Sequence, residues 1–426
     1  MNRLTPYLGV LSNRQFLKLW IGQLLSQPTE HILNFLLAIR IYQLTQNSFS
    51  VGLLIALVSL PPVIFSVTAG VMADHYNRKW VMVASNLLRA VIGAGFLLFG
   101  DLSLAILILA FCASVVAQFF SPCVSATIPT FAKRTQLFQA NSIFLFTTYA
   151  SFLVGYSIAG PMLYFFGSQV TYTILIVAYL SAVGVNLSLP SLNQHIDAAD
   201  HQAVALSLRG IAREVRVAVH LIWSQKPMLF TIAQLAFVYA LERAVIALVP
   251  DLAESVFIFN VSEISTYLIT PIGVGAFIGV VIGNRIKRRN VSARAMIITG
   301  IAIAGMALTL MPLFSTAAVA SRGLAIAGLV LLSLLTGIAD VVIITAAQTH
   351  LHELSEPGMR GRVFGSLTTV MNLAGLPFIM LAGFAADLVP VSVVVFILGV
   401  LLLVGAASNY FIHTRYGSAR PQPTTS

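Results

Sequence analysis

The chain has 426 residues, of which 58% are hydrophobic and 9% charged. Soluble proteins carry about 25% charged residues, so a chain this long and this apolar has too little polar surface to be a soluble enzyme, a secreted disulfide scaffold or a disordered regulator. A formal charge of +10 admits a nucleic-acid surface or the basic cytoplasmic loops of a membrane protein, and the position of the charges decides between them.

A membrane-crossing helix takes about 20 mostly apolar residues. In chain order the qualifying segments are 17–44, 51–73, 80–100, 103–127, 141–166, 170–190, 227–250, 264–285, 294–314, 322–348, 362–386 and 390–412, which makes twelve. Pro28 interrupts the first, which also holds Glu30, His31 and Arg40. It lacks a small-residue cleavage site and many others follow it, so it reads as a retained helix and not a signal peptide. Cys112 and Cys123 share one apolar stretch and read as small buried hydrophobes.

With both termini placed in the cytoplasm, 20 of the 24 Lys and Arg residues fall on the inner side and only Arg322 on the outer. Arg40, Arg89 and Arg243 lie within spans. The basic charge is therefore a topology signal, and no nucleic-acid partner is expected. Residues 191–226 form the one long connection, in which Leu208, Ile211, Val215, Val219 and Ile222 recur beside Arg209, Arg213 and Arg216. That spacing predicts an amphipathic helix, either on the inner leaflet or packed under the bundle. The chain thus divides into a six-helix half at 1–190, the linker at 191–226, and a second six-helix half with a short cytoplasmic tail at 227–426. Both halves carry a short basic turn after their second span, at 70–79 and 283–289, and each has a glutamate in its first, Glu30 and Glu242. The expected fold is an all-α membrane protein with pseudo-symmetric halves, the pattern of rocking secondary transporters.

A charge at the bilayer centre costs about 2.5–3.5 kcal/mol on insertion scales, so intramembrane charges are functional candidates. Glu30, Glu242 and Asp340 are the proton-coupling candidates. Asn34, four residues from Glu30 and on its face, joins Arg89, Phe120, Tyr149, Tyr239 and Arg243 as candidates to line a substrate cavity. Arg243 could neutralise Asp340 or another carboxylate, and each of these groups could instead serve a structural pair that fixes helix register. Arg40 lies near the outer end of its helix, where it can snorkel. Gly275, Gly279 and Gly283 form a small-xxx-small ridge for close helix approach. There is no G-x-x-x-x-G-K-[ST] and no H-E-x-x-H, and His350-Leu351-His352 has no third ligand nearby. No cofactor, metal, enzyme activity or channel is expected.

Gly70, Ala73, Asp74, Arg78 and Lys79 fit the loop pattern G-x-L-A-D-R-x-G-R-K of the major facilitator superfamily, with Met72, His75 and Asn77 as departures. Gln23-Leu24-Leu25-Ser26-Gln27, Tyr42-Gln43-Leu44-Thr45, Ser121-Pro122, Ile128-Pro129, Ala140-Asn141 and Arg360-Gly361-Arg362-Val363-Phe364 are similar to the branch containing macrolide-efflux proteins and the enterobactin exporter. Gly160-Pro161 resembles the G-P of the antiporter motif, with Tyr156 where that motif has a further glycine. The resemblance covers nearly all of the chain outside the linker. It implies a monomeric transporter in a bacterial plasma (inner) membrane, with a small-molecule substrate and the proton gradient as energy source. It also implies that Glu30 faces the central cavity, and that Asp74 meets Arg78 and the start of the eleventh helix near Gly361 and Arg362 as a cytoplasmic latch. The expected activity is proton-coupled export of hydrophobic or amphiphilic drug- or macrolide-type molecules. The alternatives are siderophore export and lipid or lysolipid movement.

Overall fold

The computed structural model describes residues 9–191, 226–259, 261–288, 291–315, 321–354 and 360–416. The amphipathic segment expected at 191–226 lies outside the described residues apart from its two ends. The helices are α1 (Arg14–Thr45), α2 (Ser48–His75), α3 (Arg78–Phe99), α4 (Ser103–Phe131), α5 (Leu137–Leu187), α6 (Lys226–Asp251), α7 (Val261–Ile264), α8 (Thr270–Arg288), α9 (Ala293–Leu310), α10 (Arg322–Leu354), α11 (Arg360–Leu388) and α12 (Val391–Tyr416). Among the described residues, ten helices are long and apolar enough to cross a membrane, so the chain is a multi-pass integral membrane protein. The chain forms two compact units, Met1–Arg216 with Val261–Thr266, and Val217–Asn260 with Tyr267–Ser426.

The tight turns of the first unit are set by asparagines. Asn13 Oδ1 accepts from the backbone N–H of Gln15 at 2.9 Å, Asn47 Oδ1 from that of Ser50 at 3.0 Å, and Asn77 Oδ1 from that of Lys79 at 3.1 Å. Each satisfies an N–H group that the first helical turn leaves open. The first unit then packs α1 and α3 along α5, α2 and α3 along α4, and α1 beside α4. Its core at the Asn13 end is Phe16, Leu19, Met82, Phe120, Cys123 and Phe144, with Phe16 and Phe144 edge to face at 5.5 Å. Cys123 is buried as expected, but Cys112 is exposed on α4.

The segments expected at 141–166 and 170–190 form one continuous assignment of 51 residues, broken by the non-helical Gly167 at φ 72°, ψ 174°. A straight helix of that length would run to about 76 Å. It is folded back instead. The Phe144 carbonyl accepts from Gln23 Nε2 at 3.4 Å, and Asn186 lies against Gly22, the preceding residue of α1. Two points 42 residues apart thus meet one turn of α1, so α5 is a helical hairpin.

In the second unit α10 packs along α8 and α9, α11 along α6, and α9 along α12. α6 runs on through a wider π turn at Leu252–Val256, and a second π turn at Ser265–Ile269 leads into α8. At the end of α1, the Arg40 guanidinium pairs with the Asp101 carboxylate and donates to the Gly100 carbonyl. Asp101 is 86% exposed, and exposed ion pairs contribute under about 1 kcal/mol. Asp101→Asn is therefore expected to lower thermal stability only slightly. Melting of the purified variant in detergent checks this.

Candidate functional site

α1 is the organising helix of the first unit. It carries Gln23, Ser26, Gln27, Thr29, Glu30 and Asn34 within a buried stretch. Polar side chains there need partners, because an unpaired buried group costs about 1–3 kcal/mol. α3 supplies the main one. Arg89 Nη2 lies 3.3 Å from Glu30 Oε2, with the Arg89 side chain 3% exposed and that of Glu30 34% exposed. The guanidinium stands 5.2 Å from the Phe120 ring and 5.7 Å from the Tyr179 ring. Both aromatic faces favour a buried cation. Its Nε and Nη1 have no hydrogen-bond partner among the described residues.

Beside this pair is a cavity of about 440 Å³, lined by Gln23 and Gln27 of α1, Phe120, Ser121 and Ser125 of α4, and Asn141, Phe144 and Thr148 of α5, among others. Gln23 Nε2 donates to Gln27 Oε1 at 2.7 Å and to Thr148 Oγ1 at 3.2 Å. Apolar contact comes from Phe120, Phe144, Leu145 and Ile128. Phe120 belongs both to the cavity wall and to the cage around Arg89. In the sequence Gln23, Gln27 and Asn141 stand out only as residues shared with the resembling branch, Phe144 only as one of several aromatics, and Thr148 not at all. Their signal was available as amides and hydroxyls at four-residue spacing inside apolar spans, Gln23 with Gln27 and Ser121 with Ser125.

The other cavity candidates fall elsewhere. Asn34 is half-buried one turn beyond Glu30 and does not line the cavity. Tyr149 is 62% exposed. In the second unit, Arg243 donates to the Tyr239 hydroxyl, which donates in turn to Asn372 Oδ1 of α11 at 3.3 Å. The guanidinium carbon stands 4.9 Å from the Tyr239 ring. The Asp340 carboxyl faces Glu242, with which it interacts by hydrogen bonding. Arg243 was open to pairing with Asp340 or with another carboxylate; among the described residues its hydrogen bond goes to Tyr239, and Asp340 and Glu242 interact with each other.

At the turn between α2 and α3, Arg78 is buried. Its Nε donates to the Ala73 carbonyl at 2.9 Å and its Nη1 to the Ala126 carbonyl of α4 at 2.7 Å. Lys79 lies over the exposed Trp80 ring at 5.4 Å. Gly70 has open space where a Cβ would point. The side chains of Asp74 and of residues 360–366, which include Gly361 and Arg362, lie outside the described residues.

Gly160 is buried and Pro161 half-buried in α5, but the glycine that brings α5 onto α1 is Gly155, five residues before Gly160. A Cβ there would lie 2.9 Å from the Pro28 carbonyl oxygen. That carbonyl sits at the proline of α1, where the ring already removes one backbone hydrogen bond. Gly275 and Gly279 lie against the α10 backbone at Leu334 and Ile338, whereas Gly283 makes only ordinary contact with Val342.

A match to the Major Facilitator Superfamily covers residues 19–331. The chain is 26% identical over 409 residues to the enterobactin exporter EntS of Shigella boydii, covering 91% of each chain. It is 23% identical over 216 residues to the uncharacterized MFS-type transporter YjbB of Bacillus subtilis, covering 49% of this chain and 52% of that one. The crystal structure of nucleoside transporter NupG superposes with a TM-score of 0.72 at 15% identity, covering 94% of this chain and 99% of that one. The chain belongs to the major facilitator superfamily and is a membrane transporter, not an enzyme.

Proposed function

We propose that this transporter has twelve crossings, formed when α1 and both limbs of the α5 hairpin are counted, with both termini inside a bacterial plasma membrane. It exports small organic molecules by alternating access, driven by the proton gradient through Glu30. The observation that carries this reading is Phe120, which lines the cavity and also stacks on the guanidinium paired with Glu30. Filling the cavity presses on Phe120 and so on Arg89. Protonating Glu30 removes the charge that holds Arg89. Substrate and proton therefore compete through one aromatic ring.

The cavity lining of amides and hydroxyls around an apolar wall favours a substrate with several hydrogen-bonding groups. Together with the 26% identity to the enterobactin exporter over 91% of both chains, this supports a siderophore-type molecule. Drug- or macrolide-type efflux is the second reading, supported by Phe120, Phe144 and Leu145 in the same wall.

The test compares efflux-deficient cells carrying empty vector, wild type or Glu30→Gln, with and without a protonophore. Cell-associated ethidium and a macrolide are followed, and enterobactin is measured in the medium. The expected result is export of enterobactin or of one of the drugs that both the mutation and the protonophore abolish. Export that survives Glu30→Gln overturns coupling at that residue. No difference from empty vector for all three, with membrane expression verified, overturns these substrates.

A further inference from the structure

Beyond the cavity, α1 carries a second polar stripe that winds slowly around the helix at four-residue steps: Lys18, Gly22, Ser26 and Glu30. Each step meets a polar partner. Lys18 Nζ donates to the Ser188 carbonyl at 2.8 Å, at the exposed end of α5. Gly22 leaves room for Asn186, whose Oδ1 lies 2.5 Å from where a Cβ would stand. Ser26 Oγ lies 2.9 Å from Asn86 Oδ1 and 2.8 Å from the Gly22 carbonyl. Glu30 meets Arg89. Ser26, Asn86 and Asn186 are 0%, 0% and 1% exposed, yet among the described residues Asn86 Nδ2, both side-chain polar atoms of Asn186, and Arg89 Nε and Nη1 have no protein partner.

Five unpartnered polar atoms in one column are unusual, since buried polar groups are nearly always hydrogen-bonded to protein or ordered water. Nor does reorienting the Asn86 amide remove the problem. Ser26 has one hydroxyl proton for two acceptors, and turning the amide to donate to Ser26 leaves the other Asn86 atom open. The column runs about 18 Å along α1. It is distinct from the cavity, which uses Gln23 and Gln27 of the same helix. The groups facing Glu30 are Arg89 of α3 and Tyr179 of the second α5 limb. His31 turns instead to Phe152 and Tyr156 of the first limb.

We infer that this column is a hydrated proton path between Glu30 and the Ser188 end of the first unit, separate from the substrate cavity. The inference rests on the reading of Glu30 as the coupling residue. The Glu30 carboxylic acid gives its proton to a neighbouring water. The O–H bond breaks, the carboxylate remains paired with Arg89, and the excess proton passes from water to water. Asn86 and Asn186 orient those waters, with Ser26 as the hydroxyl relay, until the proton leaves at the Ser188 end. Asn86 and Asn186 are positioning residues here.

The test uses purified full-length protein in nanodiscs. Infrared difference spectroscopy follows the protonated-carboxyl band of Glu30, assigned by its loss in Glu30→Gln, after a rapid rise in pH. Ser26→Ala and Asn186→Leu are expected to slow deprotonation about tenfold each without moving the midpoint of the band's titration, a factor equivalent to about 1.36 kcal/mol of barrier. Asn186→Asp, which keeps two polar atoms in place, is expected to restore the rate. An unchanged rate in folded Ser26→Ala and Asn186→Leu, with slowing in Gln27→Leu, means that protons use the cavity and overturns the path alone. A carboxyl band that Glu30→Gln does not remove overturns the coupling role of Glu30, and the path with it.

Discussion

Arg89→Leu is expected to destabilise the first unit by about 3–5 kcal/mol, the range for breaking one partner of a buried ion pair. Two losses combine. Glu30 keeps a charge with no counter-ion in apolar surroundings. Phe120 and Tyr179 also lose the cation between them, a contact worth about 0.5–2 kcal/mol per ring. Glu30 is 34% exposed, so water reaches part of the carboxylate and the lower end of the range applies. Glu30→Gln should cost less, because the amide oxygen still accepts from Arg89. The double variant Glu30→Leu with Arg89→Leu should recover much of the single-variant loss, since two apolar side chains replace two charges. Thermal melting of wild type, Glu30→Leu, Arg89→Leu and the double variant in one detergent gives the cycle. If the double variant melts no higher than Arg89→Leu alone, the charges are not coupled.

The second large effect is expected at Gly337. A Cβ there would overlap the Ile272 carbonyl oxygen of α8, while Gly275 of α8 is as close to the Leu334 carbonyl of α10. The two helices are in mutual backbone contact, and a backbone atom cannot swing aside as a side-chain tip does. Gly337→Val should therefore exceed the usual overpacking cost of about 1–3 kcal/mol and reduce the yield of folded protein. Gly283→Ala is the internal comparison. The nearest atom is Val342 Cγ2 at 3.8 Å, so the alanine fits and gains about 0.5–1 kcal/mol from the stiffer unfolded chain. Monodisperse yield by fluorescence-detected chromatography separates the two. Similar yields would mean that α8 and α10 are not held backbone to backbone.

The sequence made the membrane class and the approximate helix positions legible, because apolar runs of the right length survive any detail of packing. It made Glu30 and Arg89 legible as well, because charge in such runs is rare enough to be noticed. Their pairing was not legible. Arg89 reaches Glu30 across two intervening turns and the whole of α2, and no periodicity within α3 records that neighbour. The asparagines at 86 and 186 were missed for a related reason. A single amide in an apolar helix looks like tolerated polarity until its partner, here Ser26 or Gly22, is known. On α8 the small residues Gly275 and Gly279 are visible in the sequence as a ridge, but the reciprocal Gly337 emerged only from the packing. In α5 the antiporter-like Gly160-Pro161 drew the eye, while the contact with α1 falls to Gly155, where spacing from Pro28 matters more than resemblance to a motif.

Gly167 has the backbone angles φ 72° and ψ 174°, a region that only glycine occupies without strain. No neighbouring atom crowds the position, so the restriction is conformational alone. The reversal it makes has no slack, and it therefore sets the phase of everything downstream. Adding or deleting one residue at this point would turn the returning limb by about 100°, carrying Tyr179 away from Arg89 and Asn186 away from Gly22 in the same motion. Most connections in a membrane bundle tolerate drift in length, but this one works like the index pin of a dial. Its evolutionary freedom should be confined to changes that conserve both glycine and count.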